Sequence, residues 1–169
     1  MQFNVSSLLQ ESTGATREYD IDDDLRVDGD THRLTGRVRF DRTPRGILVR
    51  ARMHGTAPEV SRCLKPLTVD VHVEFDEMYY PLIDVHTGAR VDLEEGIDDA
   101  YRISERHIID LAEPAAQYWS MALPMAPLCD EDCAGLCPVC GDVIADGTHA
   151  CARDQVDARW SRLADLKLG

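Results

Sequence analysis

Apolar and polar side chains alternate with period two in three runs between residues 34 and 76. Leu34, Gly36, Val38 and Phe40 alternate with Thr35, Arg37 and Arg39. Ile47, Val49, Ala51 and Met53 alternate with Leu48, Arg50, Arg52 and His54. Val69, Val71, Val73 and Phe75 alternate with Asp70, His72, Glu74 and Asp76. This spacing predicts three β-strands with one apolar face, the signature of an antiparallel sheet packed on one side. Residues 43–46 read as a turn, and residues 55–66 as a longer connection holding two prolines. Centring the first turn on Thr43 and Pro44 puts Phe40 opposite Ile47, Val38 opposite Val49, Arg37 opposite Arg50 and Thr35 opposite Arg52. Upstream, residues 3–10 are a short mixed segment, and residues 19–30 read as an acidic stretch closing in the turn Asp28-Gly29-Asp30.

Downstream the period changes. Asp110-Leu-Ala-Glu113 reads as a capping box, with Pro114 inside the first turn where it is tolerated. Leu111, Ala115, Trp119, Ala122 and Leu123 follow at helical spacing, and Pro124 and Pro127 stop the helix. A last short helix is predicted over residues 157–166, with Trp160, Leu163 and Leu166 on one stripe. The fold class is α+β: a twisted antiparallel β-sheet, a covering helix and a C-terminal Cys-rich zinc-knuckle module. The expected division is a β-rich α+β domain over 1–124 and a zinc-binding knuckle with a C-terminal helix over 125–169.

The chain has 169 residues, 44% of them hydrophobic and 29% charged, which suits a folded globular protein. No apolar run approaches the roughly 20 residues of a membrane span, and the first residues lack a secretory signal's pattern. A soluble, cytoplasmic protein with no membrane partner is expected. Formal net charge is −13, which opposes nucleic-acid binding if spread evenly. It is uneven: residues 31–65 hold nine Lys or Arg against Asp41 and Glu59. Arg37, Arg39, Arg50 and Arg52 fall on one polar face, and like charges across a sheet need something negative over them. RNA phosphate would serve, and so would an internal ladder of Asp70, Glu74 and Asp76.

Cysteines are as uneven as charge. Cys63 stands alone and reads as a small, semi-buried residue, whereas Cys129, Cys133, Cys137, Cys140 and Cys151 cluster near the end. In a reducing compartment such a cluster points to metal. Cys137-Pro-Val-Cys140-Gly141 is a knuckle, whose trailing glycine permits the tight turn. Cys129 and Cys133 are the favoured partners for Cys137 and Cys140, with Cys151 and His149 as alternates. One structural Zn(2+) per chain is expected, because a thiolate-filled site leaves no position for a reacting water. The zinc deaminase signature, H-x-E followed by P-C-x-x-C, is only mimicked. His72-Val-Glu74 falls on a strand, and the proline lies inside the CxxC. No Ser/His/Asp arrangement, P-loop or dinucleotide fingerprint occurs, so a non-enzymatic role is expected.

Residues 123–141, LPMAPLCDEDCAGLCPVCG, together with Asp157-Ala-Arg-Trp160-Ser-Arg-Leu163, resemble the YceD family of large ribosomal RNA subunit accumulation proteins. The family tail reads ALPMxPLCxxDCxGLCPxCG and then DPRWxxLxxL. Val60-Ser-Arg-Cys63-Leu64-Lys-Pro66 resembles the family's CxRCLxP element, with Val60 in place of its first Cys. A CxxC is thereby lost at Cys63, and no second metal site is expected there. Ala158 replaces the Pro of DPRW. The resemblance implies a factor supporting 23S rRNA accumulation and large-subunit biogenesis, with Cys129, Cys133, Cys137 and Cys140 as metal ligands. Its partner would be a 23S rRNA precursor or a large-subunit assembly intermediate. The alternative is a zinc-stabilised acidic adaptor that docks a basic ribosomal protein through residues 20–24 and 94–99, without RNA contact.

Overall fold

Four long strands follow one another through short connections and carry most of the structure. The computed structural model describes residues 1–92, 101–144 and His149. Its elements are β1 (Gln2–Asn4), α1 (Ser6–Gln10), β2 (Thr16–Val27), β3 (Asp30–Arg42), β4 (Ile47–Val60), β5 (Pro66–Pro81), β6 (Tyr101–Ile103), β7 (Ile108–Asp110) and α2 (Ala112–Ala122). β2 to β6 lie side by side in chain order in one sheet, and β1 pairs antiparallel with β7 in a second. The predicted helix over 157–166, with Trp160, lies outside the described residues.

The sheet is mixed where an antiparallel one was expected, because β6 runs parallel to β5. A parallel neighbour cannot be reached by a tight hairpin, and β6 begins 20 positions after β5 ends. The acidic stretch is also a strand. In β2, Ile21 and Leu25 are buried while Glu18, Asp20, Asp22 and Asp24 are exposed. Asp28 and Gly29 both have positive φ, 52° and 96°, as a two-residue type I′ hairpin between β2 and β3 requires.

The β3–β4 register differs from expectation by two residues. Phe40 pairs with Val49, Val38 with Ala51, Arg39 with Arg50, Arg37 with Arg52 and Thr35 with His54. The reason lies in the turn. Thr43 N–H donates to the Gly46 carbonyl at 2.9 Å, so residues 43–46 form the loop and Arg42 faces Ile47. A slip of two preserves the face of every side chain, whereas a slip of one would invert them all.

The inner face holds the core. Leu34, Val38, Phe40, Ile47, Val49, Val71 and Val73 are fully buried there. Each such side chain contributes roughly 1.5–3 kcal/mol on burial. From α2 and its start, Leu111, Ala115 and Trp119 complete the core, all at 0% exposure. The Asp110 carboxylate accepts Ala112 N–H at 2.9 Å, and the helix ends before Leu123, whose extended backbone suits the residue preceding a proline. Among the described residues, no helix is long and apolar enough to cross a membrane.

The chain divides into two packed units: Met1–Pro58 with Thr68–Met125, and Glu59–Leu67 with Ala126–Gly169. The second unit therefore combines a stretch between β4 and β5 with the Cys-rich tail.

Candidate metal centres and charged face

On the outer face of the sheet, alternation presents a guanidinium or a carboxylate at nearly every position. Arg37 and Arg52 are directly paired, as are Arg39 and Arg50, so two like-charged pairs stack along β3 and β4. Each arginine is bridged to an acid. Arg37 lies 3.3 Å from Asp20, Arg39 2.7 Å from Asp41, Arg50 3.1 Å from Asp41 and 3.6 Å from Asp76, and Arg52 3.9 Å from Glu74. Arg33, one step along, bridges Asp22 at 2.7 Å and Asp24 at 3.3 Å. The hydrogen bonds to Asp41 and Asp22 raise the pKa values of Arg39 and Arg33 respectively. A cleft of about 340 Å³ is lined by Glu18, Arg37, Arg39, Arg50 and Arg52.

The four arginines singled out from the sequence thus share one face, but not a bare positive one. Glu74 and Asp76 serve as carboxylate partners, and Asp20 and Asp41 join them. Sequence reasoning places Asp20 in the acidic stretch 20–24 but not as an arginine partner, because that stretch does not read as a strand. Its alternation of Ile21 and Leu25 with acids was the available signal. His72 and Glu74 lie exposed on β5 in the first unit, whereas the CxxC belongs to the second.

In the second unit, backbone turns aim the thiols. In the knuckle, Cys137 N–H donates to Asp142 O at 2.8 Å and Gly141 N–H donates to Cys137 O at 2.9 Å. Gly141 has φ +79°, a conformation that glycine adopts without penalty. Val139 N–H points at Cys137 Sγ, 3.4 Å away, and Cys140 Sγ lies 3.1 Å from His149 Nε2. Upstream, Cys63 is buried at 3% exposure, with its Sγ 3.3 Å from that of Cys129. Arg62 fastens this loop to the tail. Its N–H donates to Pro127 O at 2.9 Å, and its guanidinium donates to Cys133 O.

Two groups of ligand atoms result, each with all members within 4.8 Å of one another: Cys63, Cys129 and Cys133, and Cys137, Cys140 and His149. Either could hold a metal ion. Spacing joined Cys129 and Cys133 to the knuckle pair; the structure instead places them beside Cys63, and sets His149 against Cys140. Cys151 lies outside the described residues. Hydrogen bonds with Ser61 and with Cys129 lower the Cys63 pKa to about 6, and the hydrogen bond with Cys63 pushes Cys129 up to about 11. A soft cation requires all three as thiolates, so binding one would release the proton that Cys129 retains.

The large ribosomal RNA subunit accumulation protein family, YceD, matches residues 49–167, which include both thiol groups, β5, β6 and all but the first two residues of β4. The chain belongs to the YceD family. Uncharacterized proteins of Mycobacterium tuberculosis and Mycobacterium bovis are each 31% identical over 132 residues, covering 76% of this chain and 59% of theirs. One from Mycobacterium leprae is 33% identical over 116 residues, covering 66% of this chain and 49% of its own length. The chain therefore spans less than two thirds of these relatives. No solved structure matches it. The YceD name implies a role in accumulation of large-subunit ribosomal RNA.

Proposed function

We propose that the chain supports 23S rRNA accumulation as a non-enzymatic adaptor, docking a basic ribosomal protein of an assembling large subunit on the outer face of its sheet. The observation that carries this reading is the ladder of ion pairs. Glu18, Asp20, Asp22, Asp24, Asp41, Asp70, Glu74 and Asp76 outnumber Arg26, Arg33, Arg37, Arg39, Arg50 and Arg52. The face is net acidic, and its β2 border is the most acidic part. Such a field attracts a lysine- and arginine-rich surface and repels phosphate. A zinc ion at Cys137, Cys140 and His149 would hold the small second unit, which has too little apolar mass to be stable alone.

Direct RNA contact is the second reading, favoured by one feature. The side chains of Arg37 and Arg52 remain 68% and 82% exposed despite their partners. Exposed pairs contribute only about 0–1 kcal/mol, so phosphates could displace the carboxylates. The test compares purified chain against 23S rRNA fragments and against isolated large-subunit ribosomal proteins. The adaptor reading expects saturable binding to one basic protein that weakens in Asp20→Asn/Asp22→Asn/Asp24→Asn. Binding to RNA that is lost in Arg37→Ala/Arg52→Ala, with a log–log salt slope near −1.4 for two single-strand phosphate contacts, would replace it with the RNA reading.

A further inference from the structure

The Val60-Ser61-Arg62-Cys63-Leu64 loop lacks the first cysteine of a knuckle, yet its backbone follows the knuckle's pattern. Ser61 N–H donates across the loop to Lys65 O at 2.9 Å, as Cys137 N–H donates to Asp142 O. Ser61 O accepts from Leu64 N–H at 2.8 Å, as Cys137 O accepts from Gly141 N–H. Leu64 takes φ +65°, the counterpart of Gly141 at +79°. In both loops the residue just before the positive-φ position is a ligand-type cysteine, Cys63 in one and Cys140 in the other. Ser61 therefore holds the structural place of Cys137, in a loop one residue shorter. Val60, where a CxxC would put its first thiol, is 55% exposed and offers no donor.

Ser61 is the one buried polar residue among those described, at 2% exposure. Its Oγ lies 3.2 Å from Cys63 Sγ and accepts Lys65 N–H at 3.1 Å. A hydroxyl has one proton and two lone pairs. Lys65 N–H takes one lone pair, and with the proton directed to the Cys63 sulfur the second lone pair is available to a cation.

We propose that Cys63, Cys129 and Cys133 form a second metal centre, separate from the knuckle, with Ser61 Oγ as its fourth donor. Three thiolates and one hydroxyl make a tetrahedral set suited to zinc or cadmium. Three thiolates around a divalent cation leave a net charge of −1. The Arg62 guanidinium, bound to Cys133 O and lying within 3.0 Å of where a Cβ on Gly135 would be, supplies the opposing charge. Gly135, at φ +78°, keeps that seat open. The ion would tie residues 59–67 to the tail, which the knuckle cannot do because all its ligands lie in the tail.

This centre goes beyond the zinc reading of the knuckle, and the experiment separates the two. Full chain purified with zinc under reducing conditions is weighed by native mass spectrometry, together with Cys63→Ala, Cys140→Ala and Ser61→Ala. Two zinc ions are expected in the unsubstituted chain. One is expected in Cys63→Ala, which reports this centre, and one in Cys140→Ala, which reports the knuckle. Ser61→Ala should keep two but release one to a chelator at least 10-fold faster. Cadmium-113 NMR of the cadmium-loaded chain adds a readout independent of folding yield. One resonance should lie where three sulfurs and one oxygen place it, and should move downfield in Ser61→Cys. One zinc in the unsubstituted chain with Cys63→Ala unchanged overturns the proposal. A resonance unmoved by Ser61→Cys overturns the fourth donor.

Discussion

Arg37 and Arg52 stand directly opposite each other on β3 and β4, and each is drawn outward by a carboxylate of the strand beyond, Asp20 on β2 and Glu74 on β5. Without those acids, two guanidiniums would face each other across the ladder. Asp20→Asn/Glu74→Gln should therefore lower stability by about 0.5–1 kcal/mol, read from the urea midpoint. Added salt should shrink the loss, since both groups are exposed. A loss that salt leaves unchanged would mean that the acids act through packing.

Gly36 sits on β3 with no room for a side chain. A Cβ there would overlap the carbonyl oxygen of Arg52 and come within 2.6 Å of Met53 Cα. Gly36→Ala should cost about 1–3 kcal/mol and Gly36→Val more, measured by thermal unfolding. A neutral alanine would show that β3 and β4 can separate at this point.

Trp119 is fully buried, packs its ring 4.6 Å from that of His32, and leaves its indole Nε1 without a hydrogen-bond partner. Trp119→Ala should cost about 3–5 kcal/mol by calorimetry. Trp119→Phe should cost less than half as much, because it removes an N–H that gains nothing from its surroundings. Equal costs would place an unseen acceptor at Nε1.

Asp84 accepts Thr87 N–H at 2.7 Å, Thr87 Oγ1 at 2.8 Å and His86 N–H at 3.1 Å, and these bonds hold its pKa below the ordinary 3.8. A carboxylate depressed on folding stabilises the protein above its unfolded pKa, and the contribution disappears as pH falls through the folded value. Residues 84–88 should therefore loosen below pH 3.8. A carboxyl NMR titration should show a low midpoint for Asp84 that Thr87→Ala raises only part of the way, because the backbone N–H groups of residues 86 and 87 still donate to the carboxylate. An unchanged midpoint would remove the Thr87 hydroxyl as a contributor and leave the backbone N–H groups as the whole cause.

Cys137→Ser should weaken metal retention and raise protease sensitivity of the second unit, leaving the far-UV signal of the sheet intact. Elemental analysis and limited proteolysis check the two halves. Complete loss of the β signal would show that the first unit needs the second.

Three strands, their inner faces and α2 were legible because burial writes directly into period-two and helical patterns. β2 was not, because an edge strand with one exposed face can carry acids at each outward position, and Asp23 on its inward side weakens the alternation further. The β3–β4 register was readable only to within two residues, since both choices put Phe40 and Val49 inside. The knuckle pair was plain from Cys137-Pro-Val-Cys140-Gly141. What spacing could not show was that Cys129 lies nearer in space to Cys63, 66 positions away, than its neighbours in the tail suggest. Proximity across that distance is set by where the chain reverses between β4 and β5, and no local pattern encodes it.

Because the second unit is assembled from Glu59–Leu67 and a segment beginning at Ala126, it has no contiguous stretch of sequence that encodes it. During synthesis the loop bearing Cys63 and Arg62 leaves the ribosome well over fifty residues before Cys129 and Cys133. At about 5–20 residues per second, that thiol waits several seconds for its partners. A fragment cloned from residue 126 onward would be born without Arg62, Cys63 and Ser61, and a fragment ended at 125 would carry them with nothing to meet.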